Sequence, residues 1–295
     1  MMMMMMNLGI GRHRTVPYCL AVNPVSTQLR LVFGGKHVQG LYTFYGQITR
    51  SLGCSQVWNC VGSILYQLEF LQNLEKTKYL NVKFWTKPGK LHSNVQVLVS
   101  PTDIHLFKER LKHFSLNGKV LSNNVQKWFD NQKLTSYTRM KVDSYSWSGY
   151  HSLEGIYQWM TDIAAEYPSK LNLTAIGLSA EGREILAIEF YNPTAKNTVI
   201  VEGAIHGNEW ITTEFVIYLI YHIVKAEKAR NFKLQKVAKK FRWIMIPVAN
   251  PDGYTYSMNY DRLWRKNRRN LGDGQFGVNL NKNFDYNFCS KYRYE

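Results

Sequence analysis

The sequence Val199-Ile-Val-Glu-Gly-Ala-Ile-His206-Gly-Asn-Glu209-Trp210 decides the fold, because an apolar run here ends in a histidine and a carboxylate three residues apart. The run is typical of a strand buried on both faces, as in parallel sheets. Gly207 permits a tight turn after it, and Ile211 to Val224 continue with a helical apolar pattern. The sequence therefore predicts a strand, a turn and a helix, with His206 and Glu209 at the turn.

These two residues are candidate zinc ligands. Zinc readily accepts imidazole nitrogen and carboxylate oxygen, and a catalytic zinc site has three protein ligands and an open water position. The spacing alone has little value, because His151 and Glu154 share it. His151 lies at a polar helix start with no buried strand before it, and we interpret it as a surface residue. The strand, glycine and helix around His206 and Glu209 distinguish them from that pair, but this context alone supports a metal site and an ordinary loop histidine equally.

The composition limits the classes of partner. The chain has 295 residues, enough for two domains with separate cores, and a formal net charge of +16. Basic residues gather at 225–240 and 262–269. Such patches can bind nucleic acid or an anionic surface, but no nucleic-acid-binding motif accompanies them, and we interpret them as a solvated helix face and a loop. The longest apolar helix core, Phe215 to Val224, is far shorter than the ~20 residues that span a bilayer. We expect neither nucleic acid nor a membrane as partner.

The cysteines and the N-terminus carry little information. The cysteines are too few and too scattered for a disulfide framework, and none has metal-ligand spacing; they are Cys19, Cys54, Cys60 and Cys289. Residues 1–50 form an N-terminal segment that we leave unassigned. The run Met1 to Met6 and the residues after it lack the ordered charged start, apolar core and cleavage site of a signal peptide.

Residues 54–131 have the pattern of short α/β units. Strand patterns at 55–60, 82–85, 95–99 and 119–121 alternate with helical patterns at 62–75, 101–113 and 125–129. The order β-α-β-β-α-β favours a ferredoxin-like domain, for which a free-standing binding domain is one interpretation. Residues 132–143 form an exposed connector with basic residues, Lys133, Arg139 and Lys141.

Residues 144–295 have a different pattern. Ser152 is a suitable N-cap for an amphipathic helix, and strand patterns at 185–191, 198–205 and 242–248 flank the helix that follows Trp210. Strands that alternate with helices predict a doubly wound mixed sheet. In such sheets ligands bind at the carboxyl ends of strands. His206 lies at one such end, and Asn250 follows another.

Several of these segments, in order, resemble the funnelin zinc metallocarboxypeptidases, the pancreatic A/B-type procarboxypeptidases. The matching segments are Tyr150–Met160, Ile176–Ile185, the His206 segment, Asn250–Tyr254, Arg262–Lys266 and Gly277–Phe284. Residues 54–131 resemble the activation (pro) domain of the same family. The resemblance implies a ferredoxin-like activation domain, a linker at 132–143 that a trypsin-like protease cleaves, and the N-terminal half of a doubly wound carboxypeptidase domain at 144–295. It also implies secretion.

The resemblance assigns roles to individual residues. It implies one Zn²⁺ ion bound through His206 and Glu209, and it makes Arg265 the arginine that stabilises the developing oxyanion. Peptide C-termini are the implied substrate. Asn281 and Lys282 match the Asn-Arg pair that binds the terminal carboxylate.

Three departures from the family pattern affect these roles. Lys282 keeps the charge of the usual arginine but loses its bidentate geometry. Asn208 replaces an arginine that contacts a substrate carbonyl. Asn279 stands where an aspartate usually orients the first zinc histidine, and such losses commonly weaken metal binding or activity by about 10–100-fold.

The resemblance also implies an incomplete catalytic apparatus. After Glu209 the sequence has one histidine, His222, within a helical pattern. The family's third zinc ligand, its general-base glutamate and its specificity pocket are therefore expected outside these residues. We expect weak zinc binding and no carboxypeptidase turnover from the chain as it stands. The alternative is a non-catalytic binding or inhibitory fragment of a procarboxypeptidase.

Overall fold

A computed structural model describes residues 2–7, 15–20, 55–74, 77, 79–137, 141–226 and 232–285, with the backbone alone for the first two ranges. The chain divides into two compact units, a small unit, Gln39–Gln132, and a large unit, Met1–Val38 with Lys133–Glu295. The expected cleavage residue Arg139, and Cys54 and Cys289, lie outside the described residues.

The described strands are, in chain order, β1 (Met2–Asn7), β2 (Thr15–Leu20), β3 (Gln56–Val61), β4 (Val82–Phe84), β5 (Asn94–Val99), β6 (Asn117–Ser122), β7 (Leu134–Thr135), β8 (Tyr150–His151), β9 (Leu171–Leu178), β10 (Glu184–Phe190), β11 (Thr198–Glu202), β12 (Arg242–Ile246), β13 (Asn270–Gly272) and β14 (Gln275–Phe276). The α-helices are α1 (Leu65–Leu74), α2 (Ile104–His113), α3 (Val125–Asp130), α4 (Leu153–Glu166), α5 (Trp210–Lys225), α6 (Phe232–Lys240) and α7 (Pro251–Asn259).

The small unit is a four-stranded antiparallel sheet with helices packed against it. The strand order is β4-β5-β3-β6, and α1 and α2 fall between strands as the predicted β-α-β-β-α-β order requires. Leu71 of α1 and Phe107 of α2 join the strand residues Trp58 and Val97 in one apolar core. Cys60 is buried in the same core and forms no disulfide. The fold predicted for this region is confirmed.

The large unit contains a mixed sheet with the order β2-β1-β11-β12-β10-β9. β11 and β12 are parallel, and the other neighbours are antiparallel. α4 begins where predicted, because the Ser152 side chain accepts a hydrogen bond from the Gly155 backbone N–H at 3.2 Å. Trp159 of α4, Val201 of β11 and Ile220 of α5 belong to one core with no exposed surface. The mixed α/β fold predicted for this half is confirmed.

The central strand is shorter than the sequence predicts. β11 ends at Glu202 and not at residue 205, because the chain turns out of the sheet at Gly203 and Ala204, whose φ is 46°. A Cβ atom on Gly203 would lie 2.6 Å from the Pro247 carbonyl oxygen. The segments after β11 and β12 therefore approach too closely for any residue other than glycine at position 203. Val201 is fully buried, but the alternate residues of β11 are half-buried. The prediction that both faces are buried is therefore wrong for one face.

The interpretation of His151 as a surface residue is also wrong. Its side chain has no exposed surface, and its Nδ1 lies 3.1 Å from Oε1 of Glu214, while its Nε2 lies 2.8 Å from Oγ1 of Thr135. The Tyr145 ring stacks on the imidazole at 3.9 Å, and the Tyr145 hydroxyl donates to Glu214 at 2.7 Å. Burial, with the neighbouring Glu214 carboxylate, raises the pKa of Tyr145. The partners come from distant segments, which a local pattern does not reveal.

Within the described ranges, none of the helices combines the length and the apolar character that crossing a membrane requires.

Candidate metal centre

The His206 loop is fixed by the loop that follows the neighbouring parallel strand. The Gly203 N–H donates to the Ile246 carbonyl at 2.8 Å, and the Ala249 N–H donates to the Gly203 carbonyl at 2.9 Å. The Asn250 N–H then donates to the Ala204 carbonyl at 3.1 Å. The two loops therefore run side by side beyond the carboxyl ends of β11 and β12, where the sequence predicts a ligand site.

Gly207 allows α7 and the segment after it to approach this loop. A Cβ atom on Gly207 would lie 2.2 Å from the Gly253 carbonyl oxygen. The Gly207 N–H donates to the Arg265 carbonyl at 3.1 Å, and the Ser257 hydroxyl donates to the Gly207 carbonyl at 2.7 Å. This close backbone contact brings Arg265 beside His206 from a position distant in sequence.

His206 is held as a neutral imidazole. Its side chain is fully buried, and its Nε2 lies 3.1 Å from Oδ1 of Asn279. The same amide oxygen accepts from the Asn281 N–H at 3.2 Å, so Nε2 must donate, since an amide oxygen only accepts. Burial, and then the Arg265 charge, lower the pKa of His206 to about 2. Nδ1 therefore carries a lone pair.

That lone pair faces a carboxylate. Nδ1 of His206 is buried and has no hydrogen-bond partner, and it lies 3.3 Å from Oε1 of Glu209. A neutral nitrogen and a carboxylate oxygen that face each other in a buried space suit a cation, and both are ligand types that zinc accepts. Among the described residues, no group of three or more His, Cys, Asp and Glu side chains is placed to hold a metal ion. The described residues thus supply a two-ligand arrangement that fits zinc.

Arg265 completes the polar cluster around this pair. Its Nη1 donates to Oε1 of Glu209 at 2.8 Å, and only 9% of its side chain is exposed. A buried guanidinium keeps its charge and presents several donors in a fixed plane. The structure therefore brings together three residues that the sequence singled out, His206, Glu209 and Arg265.

Asn208 lies in the same loop but is engaged through its backbone. Its side chain is buried, and its carbonyl accepts from Nη1 of Arg262 at 2.7 Å. The Arg262 guanidinium lies 3.5 Å from the centre of the Trp210 ring. The sequence analysis did not single out Arg262 individually. Arg262 thus brings a guanidinium group to this loop from the 262–266 segment, although residue 208 is an asparagine.

Asn281 and Lys282 lie in a single 3₁₀ turn, Leu280–Lys282. The turn is capped by the Asn279 side chain, the same one that contacts His206. Asn281 is half-buried and Lys282 is exposed. The structure therefore joins the expected carboxylate-binding pair to the histidine through Asn279.

Two polar residues of one motif position the site: Asn250, which the sequence places after a strand end without a positioning role, and Asp252, which the sequence does not single out. The Asn250 side chain accepts from the Gly253 N–H at 2.9 Å and donates to the Lys266 carbonyl at 3.1 Å, so it caps α7 and fixes the segment carrying Arg265. Asp252 is 1% exposed. Oδ1 of Asp252 accepts from the Arg183 guanidinium at 2.7 Å. Both residues lie in the Asn-Pro-Asp-Gly motif, which was the available signal.

Comparison with known proteins shows which family the chain is similar to. A family model described as zinc carboxypeptidase matches residues 156–295, and one described as carboxypeptidase activation peptide matches residues 65–132. "Zinc carboxypeptidase A 1" of Anopheles gambiae is 31% identical over 202 residues, which are 68% of this chain and 46% of that protein. "Inactive metallocarboxypeptidase ecm14" of Talaromyces marneffei is 32% identical over 160 residues, 52% of this chain and 27% of that protein.

A solved structure agrees as well. The crystal structure of thrombin activatable fibrinolysis inhibitor superposes with a TM-score of 0.67 at 26% sequence identity, covering 80% of this chain and 60% of that one. The chain spans about half the length of the curated relatives it matches, 46%, 57% and 52% for three of them.

Proposed function

Because the chain belongs to the zinc carboxypeptidase family, we propose that it represents a secreted, zymogen-type carboxypeptidase that releases C-terminal residues from peptides. The observation that carries the proposal is the buried, neutral His206, whose Nδ1 lies 3.3 Å from the Glu209 carboxylate. An ordinary loop histidine would satisfy both ring nitrogens with hydrogen bonds. The alternative weighed from the sequence is therefore disfavoured.

In this proposal His206 and Glu209 hold the metal. A bound zinc ion supplies a Lewis acid and a water of lowered pKa. Asn279 keeps the proton of His206 on Nε2 and so leaves Nδ1 as the ligand atom. Arg265, now bonded to Glu209, has further donors in the same plane for the oxyanion that develops on the substrate. Asn281 and Lys282 grip the terminal carboxylate of the peptide.

The small unit acts in this proposal as the activation segment. Residues 65–132 match the activation-peptide model, and the following connector carries Lys133, Arg139 and Lys141. A trypsin-like protease cleaves after lysine or arginine, so cleavage in this connector would separate the two units. We retain the boundaries 54–131, 132–143 and 144–295 for the proposed domains.

A non-catalytic binding role is the second candidate, and two observations favour it. An amide at Asn279 polarises the imidazole less than a carboxylate would. Lys282 lacks the bidentate grip of an arginine. Both changes weaken the proposed chemistry, and under this second candidate we infer that the chain as it stands has little or no turnover.

Zinc binding tests the metal assignment. Equilibrium dialysis of the purified chain should show weak zinc binding that His206→Ala and Glu209→Ala each abolish. His105→Ala is the matched control, because the His105 side chain is 87% exposed and belongs to the small unit. Zinc that survives His206→Ala, or that is lost equally in His105→Ala, would contradict the assignment.

Turnover separates the two candidate functions. The non-catalytic candidate predicts that trypsin-treated protein fails to hydrolyse a blocked dipeptide that has a free C-terminal carboxylate. Hydrolysis that Glu209→Ala abolishes would instead establish an active enzyme.

Binding of the substrate carboxylate is tested separately by Lys282→Arg. This variant should strengthen binding of a peptide with a free carboxylate severalfold but not of its C-terminal amide. Lys240→Arg, on the exposed face of α6, is the control.

A further inference from the structure

The outer strand of the large sheet, β9, has an open edge in the described structure, although its pairing with β10 shifts register between Ile185 and Leu186. β9 ends the strand order and pairs only with β10 among the described strands. Edge strands present unpaired N–H and C=O groups to other chains, and proteins commonly protect them with charged residues or proline. The β9 sequence, LNLTAIGL, contains neither. Two of its apolar side chains are also exposed, Ile176 at 53% and Leu178 at 69%.

The same strand contains a distinctive short motif, Asn172-Leu-Thr174. It is the one Asn-x-Ser/Thr sequence with a residue other than proline in the middle among all 295 residues, since proline occupies the middle position of Asn192-Pro-Thr194. That pattern is the acceptor for N-linked glycosylation, which requires surface placement. Asn172 and Thr174 are both exposed.

The structure holds the two side chains of the motif together. Residues two apart in a strand point to the same face, and Nδ2 of Asn172 donates to Oγ1 of Thr174 at 3.1 Å. In the ladder Asn172 is opposite Glu189 of β10. The Asn172 amide therefore lies on an exposed face of the edge strand, where an attached group displaces no core residue.

We propose that Asn172 carries an N-linked oligosaccharide that covers the β9 edge. The inference rests on the secretory route in the proposed function, because this modification takes place in the lumen of that route. It accounts for two features together: an acceptor motif on an exposed strand, and an edge without the usual protective residues. A bulky, hydrated glycan on the same strand, four residues before the exposed Ile176, would hinder the addition of a strand from another chain.

The modification is a group transfer without redox change. The donor is an oligosaccharide linked to a polyisoprenyl pyrophosphate, and a lumenal transferase catalyses the step. The Asn172 side-chain nitrogen forms a bond to the anomeric carbon of the first sugar. The bond from that carbon to the pyrophosphate oxygen breaks, the lipid pyrophosphate leaves, and the amide nitrogen gives up one proton.

Expression in eukaryotic cells behind a supplied, cleavable signal sequence tests the site. The supplied sequence guarantees entry into the lumen, so the result does not depend on the carboxypeptidase proposal, which the zinc measurement tests separately. We expect a single electrophoretic shift that peptide-N-glycosidase removes, in cell lysate as well as medium. Asn172→Gln and Thr174→Ala should both abolish it, and Thr174→Ser should retain it. Peptide mass spectrometry should find Asn172 converted to aspartate by the enzyme.

Asn117→Gln is the matched control, because Asn117 is exposed and lies on β6, the edge strand of the small sheet, but is followed by Gly-Lys. It should keep the shift. The absence of any glycosidase-sensitive shift, or a shift that persists in Asn172→Gln, would overturn the proposal. The covering role predicts a severalfold larger aggregated fraction for Asn172→Gln than for Asn117→Gln, and equal fractions would refute that role.

Discussion

At the scale of single residues, the proposed metal centre depends on which nitrogen of His206 carries the proton. Asn279 fixes it on Nε2, because its oxygen is already oriented by the Asn281 N–H. An amide and a carboxylate would select the same tautomer, but only a carboxylate adds negative charge to the pair. The histidine is therefore correctly oriented for a metal but weakly polarised.

We predict that Asn279→Asp tightens zinc binding by about 10–100-fold, since a carboxylate makes the imidazole a more basic ligand. Competition with a chromogenic chelator measures this without any need for activity. Asn281→Asp is the control, because it adds the same charge two residues further along the same turn. Equal tightening in both variants would mean that general electrostatic attraction, and not orientation of His206, is responsible.

The contact between Gly207 and Gly253 sets the spacing of the whole site. We predict that Gly207→Ala lowers the free energy of unfolding by about 3 kcal/mol, because the new Cβ clashes with backbone that cannot move cheaply. Gly177→Ala, where a Cβ atom would meet nothing within 4 Å, should change it by less than about 1 kcal/mol. Urea denaturation followed by tryptophan fluorescence compares the two, and a similar loss in both would contradict the close-approach argument.

At the scale of elements, the turn between β9 and β10 is fastened to the start of α7. The buried carboxylate of Asp252 accepts from the Ser179 hydroxyl at 2.7 Å, the Glu181 N–H at 3.0 Å and the Arg183 guanidinium at 2.7 Å. The same helix start is capped by Asn250, whose side chain also donates to the carbonyl of Lys266, the residue after Arg265. The turn between β9 and β10 and the Asn-Pro-Asp-Gly motif are thus bonded together, and both support the site.

We predict that Asp252→Asn destabilises the large unit by about 2 kcal/mol, because hydrogen bonds to a charged group are lost while the shape is kept. Hydrogen exchange should show faster opening of residues 178–184. Asp273→Asn removes the same charge from an exposed turn and should have no effect on that segment. If exchange across the hairpin were unchanged in Asp252→Asn, Asp252 would not be the fastening residue.

The sequence predicted these elements well where the signal is local. Apolar periodicity located α4 and α5, and Ser152 was correctly identified as the α4 cap. The sequence patterns failed where a contact between residues distant in sequence determines the structure. β11 stops at Glu202 because Pro247 crowds Gly203, and no local pattern reveals that contact.

The candidate site shows the same division. The motifs identified His206 and Glu209, but the ion pair between Glu209 and Arg265 depends on the packing of α7. His151 was misjudged for the same reason. Its local sequence is polar, and its burial depends on Glu214, which is 63 positions away.

At the scale of the whole molecule, most of the buried apolar residues among those described belong to two cores, one in each unit. The core of the small unit contains residues from 58 to 120, and that of the large unit contains residues from 137 to 258. Neither core includes a residue of the other unit. This separation fits the proposed activation step, in which cleavage of the connector leaves two parts that each keep their own core.

We therefore predict that a core cavity destabilises only the unit that contains it. Phe107→Ala removes a fully buried side chain of the small unit, and it should lower the stability of that unit by about 3–5 kcal/mol. Ile163→Ala, its counterpart in the large unit, is also fully buried and should cost that unit about 2–5 kcal/mol. Hydrogen exchange with mass spectrometry reports both units in the same sample. Each variant should lose protection in one set of peptides and keep it in the other. Equal loss in both sets would show that the chain unfolds as a single cooperative unit, and the two-part description of the zymogen would then fail.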